Sequence, residues 1–197
     1  RGIPMTIASR GVGAAGACIC FEELIKAGAR ILIRVGTAGS LDPSIVDGDL
    51  IVATGAVRED GVTCQLVPLS FPAISDSKVT DALCDAGLRQ SARIARGVVL
   101  SVGAFYPGIL GLPNAQMSRA GAIGVEMEAS ALFIVASLRG VRAGAILAID
   151  GMAVEFSGDA YNPNRDIVAQ AVRQGREIAL EAMADLAEAD EEEHERR

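Results

Sequence analysis

The 197 residues contain no tryptophan, two tyrosines and a single histidine. That lone His194 lies in the terminal run EADEEEHERR, which reads as a solvated charged tail over residues 190–197. With no other histidine, the folded part, residues 1–189, builds neither a Ser-His or Cys-His catalytic pair nor a histidine zinc site. Cysteine is scarce too: Cys18, Cys20, Cys64 and Cys84 show no zinc-type pairing. No metal site is expected, and buried reduced thiols of a cytoplasmic protein are the simpler reading. No stretch of about 20 apolar residues escapes a charge or a turn signal, so no membrane span is expected. The opening RGIPMTIASRGVG lacks the sustained apolar region of a signal peptide. A formal net charge of −7 argues against nucleic acid or an anionic membrane as the main partner. It leaves room for a small anion held by one or two local cations. Chemistry is left to carboxylates, arginines, hydroxyls and backbone amides.

What is present is a hydrophobic half of the chain and 22 glycines, a composition for a tightly packed α/β protein of one domain. Apolar runs predict strands at Pro4–Ala8, Arg30–Val35, Asp49–Ala56, Gly97–Val102, Ala122–Glu126 and Gly144–Ile149. Helical patterns fall between and after them, at Gly13–Ala27, Ser77–Ser91, Pro113–Ala120, Glu128–Leu138 and Asp166–Ala189. The alternation predicts a twisted, mixed but largely parallel sheet flanked by helices. Ligands of such sheets bind past the carboxyl ends of the strands.

At those ends stand the candidates. ILIRVGTAGS sets Arg34 in an apolar strand, followed by Gly36, Thr37 and Ser40. A guanidinium beside glycine amides and hydroxyls suits phosphate; pairing with Glu59 or Asp60 is the structural alternative. GVEMEAS brackets Met127 between Glu126 and Glu128. Two carboxylates there favour a helix N-terminus, or one of them meets vicinal sugar hydroxyls. ILAIDGMA ends an apolar strand on Asp150, which is either a turn residue or an acid whose pKa is raised by burial, fit to donate a proton near neutral pH. FSGDAYNPNR, residues 156–165, is either a connector or a lid. Gly11, Gly13 and Gly16 have dinucleotide-fingerprint spacing, but the next strand carries Arg34 where an acidic ribose partner belongs, so NAD is not expected.

Together RVGTAGSLDPSIVDGDLIVATGAVREDG, VEMEAS, SRGVGAAGACICFEEL and ILAIDGMAVEF resemble the hexameric nucleoside phosphorylases. The likeness runs from Gly11 to about Leu186 and is strongest toward the purine nucleoside phosphorylases of apicomplexan parasites. The resemblance implies phosphate-dependent cleavage of a purine nucleoside, with inorganic phosphate as co-substrate and no other cofactor. It implies Arg34, Thr37 and Gly36 at phosphate; Glu128, Met127 and Glu126 at ribose; Phe105, Val125, Asp150 and Phe156 at the base; and Asp150 and Arg34 as the catalytic pair. It implies a homo-oligomer, a hexamer built as a trimer of dimers. Family members are expected to carry a further segment ahead of the GVG turn that helps to hold phosphate. A catalytically impaired nucleoside- or phosphate-binding relative is therefore the second expectation. Phe156 stands where the family has a larger aromatic. Uridine phosphorylases are the nearest alternative, but their uracil-reading glutamine and arginine are here Ile109 and Gly111.

Overall fold

The computed structural model of the chain describes residues 3–9, 11–156 and 161–195. Six strands are β1 (Ile31–Ser40), β2 (Leu50–Glu59), β3 (Ala73–Ile74), β4 (Ile94–Val102), β5 (Gly124–Glu126) and β6 (Arg142–Met152). The helices are α1 (Ala14–Lys26), α2 (Ser77–Arg89), α3 (Asn114–Arg119), α4 (Ala129–Arg139) and α5 (Asp166–Glu195).

The sheet runs in the order β3-β2-β4-β5-β1-β6, and β6 also pairs with β2. That last pairing closes β2, β4, β5, β1 and β6 into a ring. The long pairings, β1 with β6 and β2 with β4, are parallel. The joins between β1 and β5 and between β2 and β6 are antiparallel. The mixed sheet flanked by helices is thus as the sequence pattern predicts.

Helix α4 has almost no polar face, and Ala129 to Ala136 are all buried. Phe133, Leu132 and Ile134 fill one core against β1, β2 and β6, while α1 lends Phe21, Leu24 and Ile25 to its edge. On the other side α2 and α5 pack Val79, Leu83, Ile178 and Ala182 against Leu50, Val52 and Ile146. These helices end where their local chemistry says they should. Asp76 caps α2 by accepting from the Val79 amide at 3.0 Å, and Gly140 closes α4 at φ 66°, which glycine adopts without a Cβ clash.

Three expectations are corrected. Pro4–Ala8 forms no strand; Pro4 to Ala8 is exposed irregular chain. The two-residue β3 was not foreseen, being too short to show periodicity. Helix α5 continues through Glu195 instead of stopping at Ala189, and Asp190, at the start of the acidic run, pairs with Arg142. Among the described residues no helix is long and apolar enough to cross a membrane.

Candidate active site

Over β1 and its two neighbours, β5 and β6, lies a cavity of about 180 Å³. Arg34, Thr37, Val125, Glu126, Met127, Glu128, Phe105, Asp150 and Phe156 all line it. Strand register explains why such distant positions meet: Arg34 lies opposite Ala145 and Ala38 opposite Ile149 on β6. The pairing then slips, with Ser40 opposite Met152, so that Asp150 and Gly151 face the single residue Gly39. This bulge turns the end of β6, and bulges of this kind re-aim side chains beside sites.

Arg34 does not pair with Glu59 or Asp60. Its Nε donates to Glu126 Oε2 at 3.0 Å and its Nη2 to Glu128 Oε2 at 2.5 Å. Nη1 has no hydrogen-bond partner among the described residues. Gly36 is not among the cavity-lining residues, and its contribution is space: a Cβ there would lie 2.1 Å from Arg34 Nη1 and 2.7 Å from Cζ. The guanidinium folds back over Gly36, where any side chain would displace it.

The two glutamates divide their work. Glu126 Oε2 accepts from Arg34, from the Glu128 amide at 2.8 Å and from the Ala129 amide at 2.8 Å, so it caps α4. Its Oε1 accepts from the Ser101 hydroxyl. Both oxygens accept from the protein, which makes Glu126 a holder of Arg34 in the cavity wall. Glu128 Oε1 accepts from the Gly13 amide, where Gly13 (φ 100°) opens α1. The glycine-rich turn that resembles a dinucleotide fingerprint is thereby tied to the cavity by a carboxylate.

Behind Glu126 runs a buried polar chain. The Ser130 amide donates to Ser101 Oγ at 2.9 Å, and the Ser130 hydroxyl donates to Asp60 Oδ2 at 2.7 Å. Asp60 also accepts from the Thr63 and Val62 amides and the Thr63 hydroxyl. Burial pushes the Asp60 carboxyl up, but these hydrogen bonds from Thr63, Ser130 and Val62 outweigh it and hold the carboxyl below its ordinary value. Arg58 braces the same loop through Thr63 and the carbonyls of Val67, Pro68 and Phe71.

At the other end, burial raises the Asp150 carboxyl above the usual range, offset in part by hydrogen bonds from Tyr161 and Thr37 and by the charge of Arg165. The Tyr161 hydroxyl donates to Asp150 Oδ2 at 2.9 Å. Thr37 lines the same cavity, within hydrogen-bond reach of Asp150. Arg165 donates to the Asp150 carbonyl at 2.7 Å and pairs with Asp47, pinning the segment after β6. Phe105 makes edge contacts with Phe156 and Tyr161, both at 5.2 Å between ring centroids. Of the expected lid, residues 157–160 lie outside the described residues.

Sequence reasoning missed two residues here. Tyr161 was hidden inside a polar loop, although an aromatic among Gly, Asn and Pro was a usable signal. Asn114, which lines the cavity and is 3 % exposed, gave no signal beyond following a proline.

Comparison with known proteins agrees with this geometry. The model of the Phosphorylase superfamily matches residues 1–189. The purine nucleoside phosphorylase of Plasmodium falciparum (isolate 3D7) is 36 % identical over 190 residues, covering 95 % of this chain and 76 % of that protein. The uridine phosphorylase of Thermococcus kodakarensis is 34 % identical over 204 residues, covering 98 % and 70 %. Among solved structures, purine nucleoside phosphorylase from Toxoplasma gondii in complex with immucillin-H superposes with a TM-score of 0.84 at 31 % identity, covering 89 % of this chain and 71 % of that one. Arg34, the Glu126–Glu128 pair and Asp150 thus surround one cavity in a chain that belongs to the phosphorylase superfamily.

Proposed function

We propose that the protein is a purine nucleoside phosphorylase that converts a purine nucleoside and inorganic phosphate into free base and (deoxy)ribose 1-phosphate. The observation that carries this reading is that Arg34, Glu128 and Asp150, from three separate segments, open into a single cavity. Glu128 takes the ribose hydroxyls, over Met127. As it does so it releases Arg34 Nη2, which joins Nη1, unpartnered among the described residues, in a two-nitrogen fork for phosphate. Gly36 seats that fork, and Thr37 steadies Asp150. Phe105, Val125 and Phe156 enclose the base.

Cleavage of the C–N bond moves an electron pair onto the base and leaves positive charge on the sugar. Protonated Asp150 gives its proton to the leaving base, and a phosphate oxygen forms the new bond to the anomeric carbon. Phosphate charge beneath the sugar and an acid at the base stabilise the transition state more than the bound substrate, which is what accelerates the step. Burial that raises the Asp150 carboxyl above its ordinary value favours this role.

Purine is favoured over uracil because Ile109 and Gly111, at the positions that read uracil in uridine phosphorylases, present no polar edge and are not among the cavity-lining residues. Inorganic phosphate is the only co-substrate in this reading, and a hexamer built as a trimer of dimers is its assembly. Inosine, adenosine and uridine incubated with and without phosphate test the proposal. Phosphate-dependent release of hypoxanthine is expected, and turnover of uridine without inosine would refute the purine assignment.

A further inference from the structure

Asn114 is the first residue of α3, and its side chain is built into the wall of the cavity. Its Nδ2 donates to the Ala153 carbonyl at 2.7 Å. That bond fixes which way the amide faces, because the reversed amide would set Oδ1 against the carbonyl oxygen. Oδ1 is left as the one buried side-chain polar atom without a partner among the described residues. Burying an acceptor unpaired costs on the order of 1–3 kcal/mol, and native proteins keep few such groups. Apolar side chains of Phe105, Leu112, Val102 and Ala153 line the same cavity.

We propose that Asn114 Oδ1 is a base-recognition acceptor, taking a hydrogen bond from an N–H on the six-membered ring of the bound purine. The inference rests on the proposed phosphorolysis and adds a residue that reads the substrate. Asp150 supplies a donor to the base, Asn114 supplies an acceptor, and the aromatic rings of Phe105 and Phe156 supply apolar walls. A base with both an acceptor and an N–H donor on its edge satisfies all of them. A base lacking the donor leaves Oδ1 as unpaired as it is without ligand, so selectivity resides in one amide oxygen held in place by a backbone carbonyl.

The test compares inosine, which carries N1–H, with purine riboside, which has no N–H on that ring. In the Asn114→Leu protein kcat/KM for inosine should fall roughly tenfold to a hundredfold, the scale of one lost hydrogen bond to a buried group. The value for purine riboside should change by less than about threefold. Asn114→Ala, which demands no extra volume, gives the same comparison should the leucine variant fold poorly. Equal losses for both nucleosides would show a merely structural amide and overturn the inference, as would no change for either. Failure of the unmodified protein to cleave inosine with phosphate would instead remove the proposed function beneath it.

Discussion

Replacing Gly36 by alanine perturbs the site with a single methyl group. Gly36 does not have a positive φ, so alanine brings no backbone strain. Its Cβ, however, would sit 2.1 Å from Arg34 Nη1, 2.7 Å from Cζ and 3.0 Å from Nη2. The guanidinium has to swing away, and in doing so it gives up Glu126 and Glu128 together. Separating the partners of a buried ion pair costs about 3–5 kcal/mol. The side chain of Arg34 is 16 % exposed, and Glu126 keeps Ser101 and two backbone amides, so the loss falls toward about 2–3 kcal/mol. In a chain of this size that lowers Tm by roughly 5–10 °C. Thermal melting checks the stability, and phosphorolysis at varied phosphate checks the site: KM for phosphate should rise more than tenfold, far beyond any change in KM for nucleoside. A variant that melts within a degree of the parent with an unchanged phosphate KM would show that Arg34 has other places to lie, and the reasoning would fail.

Asp150→Asn should abolish most turnover, by roughly a hundred- to ten-thousandfold, if this acid protonates the base. Its effect on stability has the opposite sign. Because the folded carboxyl is raised, ionising it destabilises the fold as pH climbs from the ordinary carboxylate value through the raised one. The asparagine variant should therefore melt higher than the parent near neutral pH, with the gap closing in acid. Tyr161→Phe removes a donor that favours the ionised form of Asp150, so the alkaline limb of the pH–rate profile should move to higher pH. Asp60→Ala strips Thr63, Val62 and Ser130 of a buried acceptor and should cost about 2–4 kcal/mol in denaturant unfolding. Since the Asp60 carboxyl is held low when folded, its contribution is present above the unfolded value and is lost as pH falls through the folded one. The difference from the parent should narrow below that point.

Strand-end positions were legible because apolar runs stop where charge begins. Glu128 and Asp150 stand at such a break, whereas Arg34 lies inside β1, which runs on to Ser40, and the parallel topology made their meeting a fair expectation. The partner of Arg34 was not legible: Glu59 and Asp60 are no better or worse on the sequence than Glu126, and only the closed ring of strands decides among them. Gly36 looked like a source of exposed amides because spacing says nothing about a guanidinium folding back two residues along its own strand. The nearness of Thr37 to Asp150 was not legible either, since the bulge opposite Gly39 that carries Asp150 within its reach leaves no trace in hydropathy. Pro4–Ala8 has the apolar content of a strand, yet it pairs with no strand among the described residues.

The ring of strands has one more consequence. Arg34 and Asp150 sit on neighbouring strands paired rung by rung up to Ile149, the residue before Asp150, and β6 is stitched to β2 as well at Ile146 to Ala148. That pairing opposes sliding of one strand past the other, so the backbone span between anion end and base end is set by the sheet. Altering what the pocket accepts then falls to side chains such as Asn114 and Phe156 that furnish its walls, while the distance over which bond-breaking is staged stays constant.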